Sequence, residues 1–169
     1  MSTSTVLECR DGGALANEVN QREREDIIIS EALAIMQRRV SRSSYDKVTC
    51  PDDVKKMLIL AYAQAEKEEF GVLWLDVKHR VLGREILGLG TLTQCSVYPR
   101  EVVKAGIARN ASRAILFHNH PSGVPEPSDA DRLLTRRLVD ALSLVEIGVA
   151  DHIIVAGTSS YSFAEHGLI

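Results

Sequence analysis

Residues 118–131 read HNHPSGVPEPSDAD, and this stretch gathers the groups best able to do chemistry. His118 and His120 are one residue apart, and Asp131 stands eleven residues beyond the second histidine. In an extended chain, side chains at i and i+2 share a face, so both imidazoles can enter one pocket. Zinc commonly takes two histidines and a carboxylate and keeps one position open for water. Asp131 can supply the carboxylate if PSGVPEP turns the chain back, and three prolines with a glycine suit a rigid, sharply turning loop. Structural readings stand beside this one. An H-x-H pair also occurs as a satisfied structural pair, and Ser128 with Asp131 has the spacing of a capping box, with Ser128 as N-cap.

The elements that must hold these groups follow from the apolar pattern. AILF (114–117) is a wholly apolar run leading into the histidines, as expected of a buried central strand. The carboxyl end of such a strand is where α/β sheets open their sites. Ser128 opens a helix with Leu133, Leu134, Leu138, Ala141 and Leu142 on one face. Upstream, FGVLWLDV (70–77) and VLGREILGLG (81–90) predict an antiparallel pair joined around KHR, and PREVVKAGIARN (99–110) a helix with proline at its start. Downstream, HIIVA (152–156) and YSF (161–163) predict two more strands. A helix over Arg22–Val40, a loop at 41–49 and a helix from Pro51, with Asp52 and Asp53 at its positive end, precede them. Residues 1–20 are polar and aperiodic and are expected to form a flexible tail, followed by a helix and loop at 21–48 and one domain over 49–169. The predicted order, α-α-β-β-α-β-α-β-β, makes an α/β sandwich with a mixed sheet.

Composition bounds the rest. The 169 residues are 45% hydrophobic and 25% charged, an ordinary balance for one core. A net charge of −3 gives no basic field for nucleic acid or an anionic membrane. The basic clusters MQRRVSR and DRLLTRRL sit among acidic residues and read as solvated helix faces. Cys9, Cys50 and Cys95 form no C-x-x-C pair, which argues against a disulfide framework and fits a reducing compartment. The first residues hold no apolar signal run, and no segment approaches 18 apolar residues, so a cytoplasmic location is expected.

The combined string H-x-H-P-x-G-(x)4-S-x-x-D resembles the zinc motif of the JAMM (MPN+, JAB1-type) metallopeptidases, with the positions falling on His118, His120, Ser128 and Asp131. The wider stretches GTLTQCSVYPREVVKAGIARNASRAILFHNHPSGVPEPSDADRLLTRRL and VADHIIVAG resemble the bacterial RadC family over roughly residues 50–169. Full-length members carry a helix-hairpin-helix-like segment before this domain, whereas only about 50 residues precede it here, so the chain resembles the short RadC-like forms. The resemblance implies a JAB1/MPN fold, related to cytidine deaminases: a three-layer mixed β-sheet with flanking helices. Deaminase chemistry itself is disfavoured, since it needs H-x-E followed by P-C-x-x-C. An HNH nuclease is disfavoured too, because its residues are spread over a ββα-metal hairpin.

The same resemblance implies a zinc-dependent hydrolase of amide, peptide or isopeptide bonds, with Zn²⁺ on His118, His120 and Asp131. It implies a glutamate before the first core strand as acid–base group. EKEEFGVLWL offers Glu66, Glu68 and Glu69, and the family arrangement lands on Glu68, with Glu69 as the alternative. Ser128 would help to stabilise the oxyanion, or cap its helix, or do both. Asn119, between the ligands, should point away from the metal face. Asp151 and His152 are read either as partners orienting a ligand histidine or as satisfied core groups, and His79 and His166 as exposed turn residues. The expected partner is a peptide, a protein conjugate or a small amide, without membrane association and with a homodimer as one option. The competing reading, a DNA-repair or DNA-associated binding module, follows the family's historical name and finds neither a basic stripe nor an aromatic platform, aromatics being 5%.

Overall fold

The computed structural model describes residues 12–41, 51–91, 94–95 and 97–169. Among the described residues, four helices and six strands follow in the order α1 (Gly12–Ser41), α2 (Pro51–Tyr62), β1 (Glu69–Leu75), β2 (Val81–Thr91), β3 (Gln94–Cys95), α3 (Pro99–Ala108), β4 (Arg113–Asn119), α4 (Asp129–Ser143), β5 (Gly148–Ala156) and β6 (Ser159–Ser162). The strands form one sheet in the order β3-β2-β1-β4-β5-β6. Among the described residues only β4 and β5 run parallel, and α4 is the crossover that a parallel pair requires.

The sheet is covered on both faces, which is why its central strands are apolar without alternation. Along β1, Phe70, Val72 and Trp74 meet Val102 of α3 and Leu138 and Leu142 of α4. Leu73 and Leu75, on the other face, meet Val54, Met57, Leu58 and Tyr62 of α2, with Met36 of α1. Ala114 and Leu116 of β4 join the first cluster, and Ile115 and Phe117 join the second. The result is the expected three-layer α/β/α sandwich. Where β1 passes β4, a Cβ on Gly71 would collide with the Phe117 ring, so glycine is what lets this ring lie flat against the sheet.

Several boundaries differ from the sequence pattern. The first helix begins at Gly12, so residues 12–20, expected in the tail, are helical; residues 1–11 and the expected loop from 42 onward lie outside the described residues. The pattern does not predict β3, whose two residues pair with Gly90 and Thr91. Strand β1 ends at Leu75, and the following turn is organised by Asp76, whose Oδ1 accepts from the backbone N–H groups of Lys78 and Arg80. Strand β5 starts four residues earlier than its apolar core, at Gly148. No described helix is long and apolar enough to cross a membrane.

Candidate metal centre

His118 lies at the end of β4, opposite Phe70 of β1 and Ile154 of β5, and is 2% exposed. His120 follows the strand, its N–H continuing the ladder to Val155 O at 2.7 Å. The chain then reverses: Gly123 has φ +79°, a conformation that favours glycine, and its N–H returns to His120 O. Ser128 is the N-cap of α4, and Asp131 sits in that helix's first turn. The capping box expected from spacing is present. Asp131 N–H donates to Ser128 Oγ at 3.2 Å, and Ser128 N–H donates to Asp131 Oδ2 at 2.8 Å. The serine hydroxyl also donates to Oδ2, at 2.5 Å.

These segments bring three donor groups together. His118 Nε2 is 2.8 Å from His120 Nε2, and Asp131 straddles both, with Oδ1 3.4 Å from His118 Nε2 and Oδ2 3.5 Å from His120 Nε2. One ligand atom from each residue lies within 4.8 Å of the others. The group could hold a metal ion.

Hydrogen bonds behind the site decide which nitrogens face it. Thr135 Oγ1 has a single proton and donates it to Asp131 O at 2.6 Å, the i−4 carbonyl of its own helix. It can therefore only accept from His152 Nδ1, 2.6 Å away. His152 is fully buried, and burial, reinforced by the charge of His118, holds its pKa well below the usual range, so the ring is neutral. A neutral ring donating from Nδ1 accepts at Nε2, and His118 Nδ1–H is the donor, at 2.8 Å. That leaves the His118 Nε2 lone pair pointing at the site. On His120, Nδ1–H donates to Val124 O at 2.7 Å, which turns Nε2 inward as well. Phe70 stacks on His118 and meets His152 edge-on, while Phe163 stacks on the far side of His152.

The three groups shift one another's protonation. Burial lowers the His118 pKa to about 4, against the raising pull of Asp131. His120 moves upward, mainly through its bond to Asp131. Burial opposes ionisation of Asp131, but hydrogen bonds from His120 and Ser128 and the charge of His118 outweigh it and hold the carboxyl well below its ordinary value. Two inward nitrogens and a carboxylate thus converge, with the hydrogen bond between His120 and Asp131 favouring a proton on His120. A divalent cation fits that donor set in charge and in chemistry.

Among the glutamates, Glu68 shares a face with Phe70 by strand alternation, and its carboxyl interacts with His120 and Asp131. Burial raises its pKa, with Asp131 adding to the rise and His120 opposing it. Glu69 faces the opposite way and acts on Tyr62 of α2, and Glu66 is exposed. Asn119 turns its amide toward the chain entering β1 rather than toward the histidines. Of the two polar residues opening the apolar part of β5, only His152 reaches the site. Asp151 accepts from its neighbour's N–H, from Ser162 Oγ and from Ala164 N–H, and so ties down β6 and the final turns. His79 is an exposed turn residue with φ +61°, and His166 is exposed and stacks on Tyr161. The sequence reading did not single out Thr135. Its one available signal is its place one helical turn after Asp131.

Residues 48–168 match the family model described as RadC-like JAB domain. A UPF0758 protein of Dechloromonas aromatica is 52% identical over 137 residues, covering 80% of this chain and 59% of that protein. One from Methylibium petroleiphilum is 56% identical over 119 residues, 70% of this chain and 54% of the relative, and one from Vibrio parahaemolyticus 52% over 124 residues, 73% and 55%. The chain spans a little over half the length of these curated relatives.

Proposed function

This chain belongs to the RadC-like JAB domain family, and from that premise we propose that it is a zinc-dependent hydrolase of an amide, peptide or isopeptide bond. One observation carries the reading: the Nε2 atoms of His118 and His120 and the carboxylate of Asp131 converge, with each histidine's other nitrogen already committed to an acceptor. His118, His120 and Asp131 would hold the ion. When bound, zinc supplies a Lewis acid that brings the pKa of water at its open position down toward ~7.

The chain's own groups do the rest. Glu68 takes the proton from the attacking water and returns it to the leaving nitrogen. Its upward-shifted carboxyl suits that exchange better than an ordinary surface glutamate would. Asp131 stays ionised because Ser128 and His120 bond to it. The Ser128 hydroxyl donates to Asp131 Oδ2, so stabilising an oxyanion requires it to rotate from ligand to substrate, a donor worth ~3 kcal/mol if well placed. Phe70 and Phe163 keep water from the back of the histidines.

The substrate class is a peptide, a protein conjugate or a small amide, in the cytoplasm. The net charge of −3 and the 5% aromatic content favour that class over nucleic acid. The test is a screen of zinc-loaded protein against peptide, isopeptide and simple amide substrates, with Glu68→Gln in parallel. Hydrolysis by the wild type that the variant loses while retaining its zinc supports the reading. Turnover undiminished in the variant removes Glu68 from it, and salt-sensitive duplex binding with no hydrolysis favours the DNA-associated reading instead.

A further inference from the structure

Glu68 precedes β1 in a segment that has left helix α2 and has not yet entered the strand's own ladder. A carboxylate that must meet the metal site from such a position needs its backbone fixed. Asn119 sits between the two ligand histidines, is 2% exposed, and gives both ends of its amide to this segment. Its Nδ2 donates to Lys67 O at 2.9 Å, and its Oδ1 accepts from Glu69 N–H at 2.8 Å. These are the two peptide groups that flank Glu68. The side-chain amide thus imitates one more residue of β4, extending the pairing with β1 past Phe70↔His118.

On the opposite edge, Gly90 N–H of β2 donates to Glu68 O at 2.8 Å. The backbone of Glu68 is therefore held from both sides within the plane of the sheet, and its side chain is directed out of that plane onto the face of Phe70 and His118. We infer that Asn119 is a positioning residue for Glu68: the strand that carries the metal ligands uses its one intervening side chain to set where the carboxylate stands. This rests on the proposed hydrolase reading for the use of that carboxylate, but not for the hydrogen bonds themselves. Both polar ends of the Asn119 amide are satisfied here, and removing them frees two peptide groups beside the site.

The test separates charge placement from metal binding. The full chain is loaded with cobalt(II) and titrated with thiocyanate, an anion whose binding at the ion's open position is read in the visible spectrum. A carboxylate beside that position repels the anion, so Glu68→Gln should tighten thiocyanate binding about five- to tenfold. Asn119→Ala, and Asn119→Leu, which retains the volume, should tighten it to within about twofold of Glu68→Gln, and Glu68→Gln combined with Asn119→Ala should add nothing further. Cobalt affinity should stay within about threefold of wild type in all of them, because no substitution removes a ligand atom and the Asn119 amide bonds the backbone at Lys67 and Glu69 rather than either histidine. Exchange of the Glu69 amide hydrogen should accelerate in both Asn119 variants.

Wild-type thiocyanate affinity in both Asn119 variants, with Glu68→Gln behaving as expected, overturns the positioning role. An unchanged affinity in Glu68→Gln itself overturns the acid–base assignment, and the inference with it.

Discussion

His118 Nδ1 lies 2.8 Å from His152 Nε2, and this contact, made between neighbouring parallel strands, determines the tautomer of His118. The direction of the bond is settled two residues away, by the one proton of Thr135. Asp131 and Thr135 are a turn apart on α4, so the same chain of bonds links the helix that carries Asp131 to the His118 ring.

His152→Phe keeps a planar ring between Phe70 and Phe163 but offers His118 no acceptor. Zinc affinity, measured by competition with a chromogenic chelator, should fall about 10- to 100-fold, the usual cost of losing a partner that orients a ligand. Thr135→Val, which removes only the far end of the relay, should fall less. Unchanged affinity in both would mean that the relay is packing alone.

Ser128→Ala removes the N-cap of α4 and one of the hydrogen bonds that keep Asp131 ionised. Loss of the cap should destabilise the metal-free chain by about 1 kcal/mol, a fall of roughly 2–4 °C in Tm for a domain of this size. Zinc binding should weaken as well, in calorimetry at neutral pH. A variant with undiminished Tm would show that the capping box contributes nothing to the fold.

Acid should destabilise the metal-free protein. Burial favours neutral His118, whose pKa is about 4 when folded against 6.5 when free, so its contribution is whole above pH 6.5 and is lost as pH falls toward 4. That gap corresponds to about 3 kcal/mol at its full extent. His152 shifts the same way, while His120, shifted upward, stabilises below 6.5 and stops doing so as pH rises through its raised value. Thermal unfolding in chelator should therefore show a Tm that drops between pH 6.5 and 5. A flat Tm across that window contradicts the electrostatic description. Zinc, which competes with protons for the two imidazole nitrogens, should bind more tightly as pH rises.

How much of this was legible in the sequence depended on whether a relation was local. His118 and His120 share a face by strand alternation, and Asp131 follows a loop whose prolines and glycine announce a reversal, so the convergence of these three donor groups could be read directly. Ser128 as N-cap was equally local. The choice between Glu68 and Glu69 turned on register, which only the pairing of β1 with β4 supplies. His152 could be suspected but not assigned, because its contact with His118 spans 34 residues and depends on a parallel register. Asn119 was read as turned from the metal, but its hold on Lys67 and Glu69 needed the strand to its side. The sequence pattern starts helix α1 late because the polar run at 20–26 separates Leu15 and Val19 from the apolar stripe beginning at Ile28, and β3, two residues long, lies below what any pattern can mark.

The most direct measurement is the zinc content of purified, folded protein by elemental analysis, wild type beside His118→Ala, His120→Ala and Asp131→Ala. The account predicts about one zinc per wild-type chain and loss of most of it in each variant, as expected when one of three ligands is removed. A folded wild-type chain that takes up no zinc from excess metal, or variants that hold it as well as the wild type does, would contradict it.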